Sequence, residues 1–247
     1  MKYILRVLFV WFGLCSLLFA QDVPGARELE RADATGEKLA EIVGKITRDK
    51  EGAINRADAT TPQIKALLLQ LKEEYLLAAE AGNAVAMYKL GNMLAKDLMR
   101  FEGCVAFGMS AKNGLMAGSV AAMRCLSGPD VRGRVREDQF ETLRRAMKST
   151  DLYAVYYPIA YLNPICFGPP QVDLRAMGPD ERRAHLIPQP LSEQQFRVEG
   201  NYLLALNVLE MKGRSGWEEA QEYANEAFRG GCKNDKELRR LLEVLKP

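Results

Sequence analysis

The sequence predicts an all-α protein in which helix-turn-helix repeats stack into a solenoid. Apolar residues recur at spacings of three and four along much of the chain, which places them on one face of a helix. Similar segments also recur at a fixed interval in the middle of the chain, and such a period is the signature of stacked repeats. Six of the eleven prolines lie in residues 163–195, so no continuous helix is expected in that stretch.

Residues 1–20 are predicted to be a signal peptide. They contain two basic residues, Lys2 and Arg6, and residues 7–20 are uncharged and rich in apolar side chains. A basic head before a short apolar run is typical of a secretory signal, and the run is shorter than the roughly 20 residues that span a membrane. We therefore expect an exported chain, periplasmic or extracellular, without stable membrane insertion; an uncleaved anchor is the alternative.

The charge balance bears on the class of partner. Residues 1–20 hold two of the 34 basic side chains and none of the 32 acidic ones, so the remaining chain has equal numbers of both. Binding to nucleic acid depends on an excess of Lys and Arg, because phosphate contacts release counterions. We therefore expect no nucleic-acid partner.

Candidate chemistry is sparse. The single histidine, His185, excludes a histidine-rich metal site, and no Cys-x-x-Cys pair supports a zinc ribbon or a redox motif. Catalysis by His185 needs a nucleophile within hydrogen-bonding reach, but no local Gly-x-Ser-x-Gly or Ser-x-x-Lys motif supplies one. We expect no catalytic residue, no metal and no cofactor.

Residues 21–61 are predicted to form an N-terminal helix and a linker. Apolar residues lie near helical spacing from residue 26 to residue 46. A polar turn follows at residues 48–61, and the next helix is expected to begin near Pro62.

Residues 62–162 are predicted to be repeat units. Three similar segments begin 36 residues apart, at residues 82–90, 118–126 and 154–162. Gly82 and Gly118 fit the position that ends a helix, where glycine adopts a left-handed conformation at little cost. Asn83 and Ser119 follow them as candidate N-caps of the next helices.

Residues 163–195 are a proline-rich insert, and residues 196–247 are predicted to be a last repeat unit with a capping helix. A loop this long in a compact protein is either a degraded unit that runs over the surface or a functional segment. After it, the sequence predicts two helices joined by a turn at Gly213–Gly216. A closing helix at residues 233–245 has leucines on one stripe and charged residues elsewhere, as suits a solvated cap.

The helix junction AAEAGNAVA at residues 78–86 resembles the Sel-one-like repeats, relatives of the tetratricopeptide repeat, whose junction reads Ala-Ala-Glu-x-Gly-Asn-x-x-Ala. The resemblance is carried by residues 76–93, with echoes at 110–126 and 205–232. It implies a right-handed α–α superhelix whose concave face binds a protein or peptide. On this basis the chain is expected to be a non-catalytic binding scaffold of the periplasm or the cell exterior.

The alternative function also comes from this resemblance. Cysteine-rich secreted members of the family are linked to β-lactam binding or hydrolysis, and this chain is similar to them in export, repeats and cysteines. It lacks their dense, regularly spaced cysteine pairs and a Ser-x-x-Lys motif. A β-lactam-binding or β-lactam-hydrolysing enzyme is therefore the second hypothesis.

Four cysteines lie outside the signal segment: Cys104, Cys125, Cys166 and Cys232. An even number in an exported chain predicts two disulfides, with three connectivities open. Cys104 lies early in one predicted helix and Cys125 late in the next, so antiparallel packing would bring them together. Cys166 would then pair with Cys232. Free buried thiols are the alternative.

Four tyrosines form an aromatic patch before the insert: Tyr153, Tyr156, Tyr157 and Tyr161. They either pack the third unit against the insert or contribute to a recognition surface, where tyrosine is favoured. A basic stretch at residues 132–136 and 144–145 is diluted by acidic neighbours. It is predicted to be a solvated helix face, with an anion-binding patch as the alternative.

Overall fold

The computed structural model describes residues 23–44, 60–96, 99–125, 134–153, 156, 164–168, 178, 190–233 and 235–247. These residues are predominantly helical, which confirms the predicted all-α class. In chain order the helices are α1 (Ala26–Gly44), α2 (Thr60–Glu80), α3 (Ala84–Lys96), α4 (Arg100–Lys112), α5 (Met116–Cys125), α6 (Arg134–Lys148), α7 (Glu193–Lys212), α8 (Trp217–Arg229) and α9 (Lys236–Leu245). The predicted signal segment and residues 48–59 of the predicted polar turn lie outside the described residues. Residues 60 and 61 of that turn instead belong to α2, which begins at Thr60.

The N-terminal helix α1 packs on α2 and is tied to α3 by polar contacts. Leu29 and Ala32 are buried on the face of α1 that meets α2. On the same helix, Asp33 Oδ1 accepts hydrogen bonds from Tyr75 Oη at 3.1 Å and from Lys89 Nζ at 2.5 Å. One carboxylate thus links three helices.

Helix α2 ends as the sequence predicts. Gly82 has φ +94° and donates its N–H to the carbonyl oxygen of Ala79 at 2.9 Å. The N–H of Asn83 bonds to Ala78 O at 3.0 Å, which completes the pattern of a Schellman motif. Asn83 is also the predicted N-cap, because its Oδ1 accepts the N–H of Ala86 in the first turn of α3.

The same termination recurs at the ends of α4 and α8. Gly114 and Gly231 have φ +94° and +88°, and the residues that follow, Leu115 and Cys232, donate their N–H groups back by five residues. Their acceptors are the carbonyl oxygens of residues 110 and 227, which are small and buried. The left-handed conformation of one glycine therefore ends each of three helices.

The predicted roles of Gly118 and Ser119 are wrong, because both lie buried inside α5. Helix α4 ends at Lys112, and the left-handed glycine that terminates it is Gly114, four residues before Gly118. A Cβ atom at Gly118 would lie 2.5 Å from Ser110 Oγ and 2.8 Å from Ala111 N. Gly118 is therefore a packing glycine that lets α4 and α5 approach closely.

The core continues through successive helices. Tyr88 on α3 and Phe107 on α4 are fully buried, with ring centroids 5.2 Å apart. Helix α5 is buried along most of its length and contacts both α6 and α7. At its N-terminus, the buried Asp151 accepts the N–H of Met116 at 2.9 Å.

The C-terminal part follows the prediction closely. A 3-10 turn at Gly213–Gly216 joins α7 to α8, and α9 closes the described chain. Leu238 and Leu242 of α9 are buried, while Trp217 Nε1 donates a hydrogen bond to Leu242 O at 2.8 Å. None of the described helices is both long enough and apolar enough to cross a membrane.

Candidate functional site

A groove of about 630 Å³ lies between α6, α7 and α8. Helices α6 and α8 both pack against α7. The start of α6 contacts the second half of α7 through Arg136 and Asn207, and the end of α8 approaches the first half of α7 at Gly230 and Val198, so both helices are antiparallel to α7 and parallel to each other. A Cβ atom at Gly200 of α7 would lie 2.5 Å from Met147 Sδ, and one at Gly230 would lie 2.2 Å from Val198 Cγ2. These close approaches form the floor of the groove, and the facing sides of α6 and α8 form its walls.

The α6 wall carries positive charge. Arg144 and Lys148 lie four residues apart on α6 and both line the groove. The Arg144 guanidinium bonds to Glu141 on its own helix, with Nη2 2.7 Å from the carboxylate, and this bond raises the pKa of Arg144. Because both side chains are exposed, this ion pair contributes little to stability. Arg144 can therefore leave Glu141 and bind the carboxylate of a ligand.

A third basic side chain, Arg197 of α7, holds the end of α6 in place. It donates hydrogen bonds to Met147 O at 2.7 Å and to Ser149 O at 2.8 Å, and it pairs with Glu193 at 2.7 Å. Carbonyls at a helix C-terminus attract cations. Arg197 therefore serves chiefly to fix the geometry of the groove.

The α8 wall carries negative charge and one aromatic ring. Glu222 and Glu226 lie four residues apart on it, and Arg229 follows, bonded to Glu226 at 2.5 Å. Tyr223 lies between them and is half-buried. Burial, with the nearby Glu219 carboxylate, raises the pKa of the Tyr223 hydroxyl.

Amide side chains stand between the two charged walls. Gln194 and Asn201 line the groove from α7, and Asn225 lines it from α8. An amide group both donates and accepts hydrogen bonds, so it can pair with either polar group of a peptide backbone. The groove thus combines backbone-binding amides with charged groups of opposite sign on its two sides.

The four predicted disulfide cysteines come together in two pairs. The sulfur atoms of Cys104 and Cys125 are 2.15 Å apart, at the start of α4 and the end of α5. The sulfur atoms of Cys166 and Cys232 are 2.00 Å apart. This pair connects the proline-rich insert to Cys232, the residue that follows Gly231 at the end of α8. Both pairings are the ones that the sequence favours.

The tyrosine patch does not line the groove in the described part of the chain. Tyr153 is 5% exposed, whereas Tyr156 is 45% exposed. Tyr157 and Tyr161 lie outside the described residues, as does His185. The patch as a recognition surface therefore stays a prediction.

The arginines of the predicted basic stretch have two different roles in the structure. Arg136 bonds to Asn207 Oδ1 at 2.7 Å through Nη2 and also to the Glu210 carboxylate, so it joins α6 to α7. Arg144 instead lines the groove. The sequence places Arg144 in the basic stretch but does not reveal the groove, because α6 and α8 are far apart in sequence and are brought together by packing on α7.

A buried carboxylate lies on another face of α7. Glu199 is 1% exposed and accepts three backbone N–H groups, from Ile165 at 2.8 Å, Cys166 at 2.6 Å and Phe167 at 3.3 Å. Burial raises the pKa of Glu199, against the lowering effect of these hydrogen bonds and of Arg124. It anchors the described turn of the insert on α7.

A row of exposed apolar side chains forms a second surface, on α4. Phe101, Val105 and Met109 follow one another at intervals of four residues and are 78%, 48% and 48% exposed. We refer to these three residues as the α4 stripe. It lies outside the groove and offers a comparison surface for binding experiments.

The chain was compared with protein families, curated proteins and solved structures. No family model, no curated protein and no solved structure matches it. Within the described ranges, no group of three or more His, Cys, Asp or Glu side chains could hold a metal ion.

Proposed function

We propose that this protein is an exported, non-catalytic scaffold, built from Sel-one-like repeats in a right-handed superhelix, that binds a protein or peptide. The observation that carries the proposal is the groove between α6, α7 and α8. Its volume of about 630 Å³ lies within the range of ligand-binding clefts. Each of its three helices contributes polar side chains, so a bound chain would be contacted from both sides and from below.

The helix ends support the repeat architecture. The glycine-centred Schellman turns at Gly82, Gly114 and Gly231 repeat the same hydrogen-bond pattern, and consecutive helices pack on each other. A chain of similar helix pairs, each packed on the next, is the arrangement from which solenoids are made.

The cysteine pairs support export. Disulfides form and persist in oxidising compartments such as the periplasm and the cell exterior. Two cysteine pairs at bonding distance, together with the predicted signal at residues 1–20, fit such a location.

The composition of the groove favours a peptide over a small apolar ligand. Asn201, Asn225 and Gln194 suit the hydrogen-bonding groups of a backbone. Tyr223 supplies an apolar ring with a polar end, the kind of side chain that contributes most at protein interfaces.

The proposal is tested by capture from a native envelope extract, using the purified protein as bait and quantitative mass spectrometry as the readout. Two groove variants are compared with the unchanged protein: Tyr223→Ala, which removes the aromatic contact, and Asn225→Tyr, which fills the groove from an exposed position. We expect at least one captured protein to be lost with both variants, because both remove contact surface at the same site.

The controls separate the groove from the rest of the surface. Lys65→Glu changes an exposed residue of α2 and is expected to retain capture. Retention of every captured protein by both groove variants, or loss only with Val105→Ser in the α4 stripe, contradicts the groove as the binding site. Turnover of a chromogenic β-lactam by the pure protein contradicts the non-catalytic assignment.

A further inference from the structure

The two walls of the groove carry opposite charges in parallel rows. On α6 the row consists of Arg144 and Lys148, and on α8 it consists of Glu222 and Glu226. Both rows have a spacing of four residues, and the two helices run in the same direction because each is antiparallel to α7. Arg197 and Arg229 also line the groove, so four basic and two acidic side chains face it. Arg197 pairs with Glu193 and Arg229 with Glu226, and the two rows themselves carry opposite charges.

The antiparallel packing is fixed by contacts at both ends of α6. Near its start, Arg136 bonds to Asn207 in the second half of α7. At its end, Met147 O accepts a hydrogen bond from Arg197 in the first half of α7. On the other side of α7, the Gly230–Val198 approach pairs the end of α8 with the start of α7.

The spacing along each wall matches the geometry of an extended peptide. Residues four apart on a helix are separated by about 6 Å along its axis. In an extended chain, side chains alternate between two sides, and successive side chains on one side are about 6.7 Å apart. An extended segment lying along the groove would therefore meet α6 with every second side chain and α8 with those between.

We infer that the groove binds an extended peptide segment in which acidic and basic residues alternate, with its acids on α6 and its bases on α8. This inference rests on the proposed function, since it names the chemistry of the peptide that the groove takes. Arg144 and Lys148 pair with the carboxylates, and Glu222 and Glu226 pair with the ammonium groups. Asn201 and Asn225 contact the backbone between them.

Competing pairs within the groove do not block this binding. Arg144 is bonded to Glu141, and Glu226 to Arg229, but both are exposed pairs three residues apart on one helix. Exposed pairs of this kind contribute little to stability. Replacing these pairs by ion pairs with a ligand therefore costs little free energy. A ligand with basic groups facing α6 and acidic groups facing α8 would be repelled by both walls.

The test uses two fluorescein-labelled decapeptides with the same composition and no net side-chain charge. One alternates Glu and Lys, and the other has five Glu followed by five Lys. Only the alternating peptide presents acids on one side and bases on the other when extended. By fluorescence anisotropy at low salt, we expect it to bind the protein about tenfold more tightly than the block peptide, as several exposed ion pairs allow.

Charge reversal on one wall tests the role of each side. Lys148→Glu is expected to weaken binding of the alternating peptide about fivefold, while Lys65→Glu, the matched reversal on α2, leaves it unchanged. Both changed residues are exposed, so folding is expected to survive and is checked by circular dichroism. The double variant Lys148→Glu with Glu222→Lys leaves one attractive and one repulsive position on each wall, so it is expected to bind the alternating peptide more weakly than Lys148→Glu alone.

Three outcomes overturn the inference: equal affinity for the two peptides, equal effects of Lys148→Glu and Lys65→Glu, or binding of neither peptide. If both peptides bind equally and Asn225→Tyr abolishes both, the groove is a peptide site without the alternating preference. If neither peptide binds but capture from the envelope still depends on Tyr223, the inference fails while the proposed function stands.

Discussion

Glu199 of α7 accepts the backbone N–H of Cys166 at 2.6 Å, so a buried carboxylate holds the residue that also forms the second disulfide. The N–H groups of Ile165 and Phe167 bond to the same carboxylate. The turn therefore has two attachments to the helical body, one covalent and one polar.

The first prediction concerns removal of that carboxylate. Glu199→Ala should lower the free energy of unfolding by about 3 kcal/mol, because it leaves buried N–H groups without an acceptor. Glu199→Gln should lower it less, since the amide oxygen still accepts. Urea unfolding at neutral pH measures both, with the exposed Glu243→Ala as the control. A Glu199→Ala variant as stable as the control would show that the turn does not depend on the carboxylate.

The second prediction is a pH dependence. Because burial raises the pKa of Glu199, the folded state holds its proton at pH values where the unfolded chain has released it. The part of the stability that comes from the bound proton of Glu199 is present below the ordinary glutamate pKa and is lost as the pH rises through the folded-state pKa, while the hydrogen bonds to the turn remain. The free energy of unfolding should fall as the pH rises from the ordinary glutamate pKa through the folded-state pKa of Glu199. In Glu199→Gln this fall should be smaller. Identical profiles for the two proteins would contradict the raised pKa.

The third prediction compares the two disulfides. Replacing both Cys166 and Cys232 by serine removes a link between residues 66 apart and should cost about 4 kcal/mol, while the same change at Cys104 and Cys125, 21 residues apart, should cost about 3 kcal/mol. Denaturant unfolding of the two double variants measures the difference. Peptide mass mapping without reductant should find both linked pairs, and alkylation of these cysteines without reduction would disprove them.

The fourth prediction separates two glycines with different roles. Gly114→Ala places a side chain at φ +94° in open space and should cost about 1–2 kcal/mol from backbone strain alone. Gly118→Ala forces a Cβ atom against backbone and should cost about 3 kcal/mol through overpacking. If Gly118→Ala proves the milder change in thermal unfolding, the close approach of α4 and α5 is not as described.

These two glycines also show how far the sequence determines the fold. Gly82 and Asn83 were predictable as a helix end and an N-cap, because termination and capping depend on local residue types. Gly118 is followed by residues similar to those after Gly82, yet it lies inside α5, where α4 packs against it. A sequence motif cannot distinguish a glycine that ends a helix from one that admits a neighbouring helix.

The groove shows the corresponding limit for the site. Arg144 and Tyr223 each lie on an amphipathic helix, and polar residues at spacings of three and four are expected on any solvated face. These two residues belong to one site because α7 packs between α6 and α8 and holds the two helices on either side of the groove. That arrangement depends on tertiary contacts such as Arg197 with the end of α6, between residues some 50 positions apart.

The fifth prediction concerns the tyrosine patch. Tyr153→Ala should lower stability by about 3 kcal/mol, because its buried ring leaves a cavity. Tyr156→Ala should change stability by no more than about 0.5 kcal/mol, as for other exposed positions. Thermal unfolding gives both values. Loss of envelope capture in Tyr156→Ala at unchanged stability would support a recognition role for the patch, and unchanged capture would argue against it.

The disulfide between Cys166 and Cys232 also determines how a mechanical load would pass through the molecule. A force that pulls α1 away from α9 travels directly from one cysteine to the other. The segment between them, which covers a sequence separation of 66 and is about 220 Å long when extended, therefore carries no tension. Helices α7 and α8 lie within this shielded stretch, while α6 lies outside it. Under tension α6 would be drawn away from an intact α7–α8 pair, and the groove would open before either of those helices unravels.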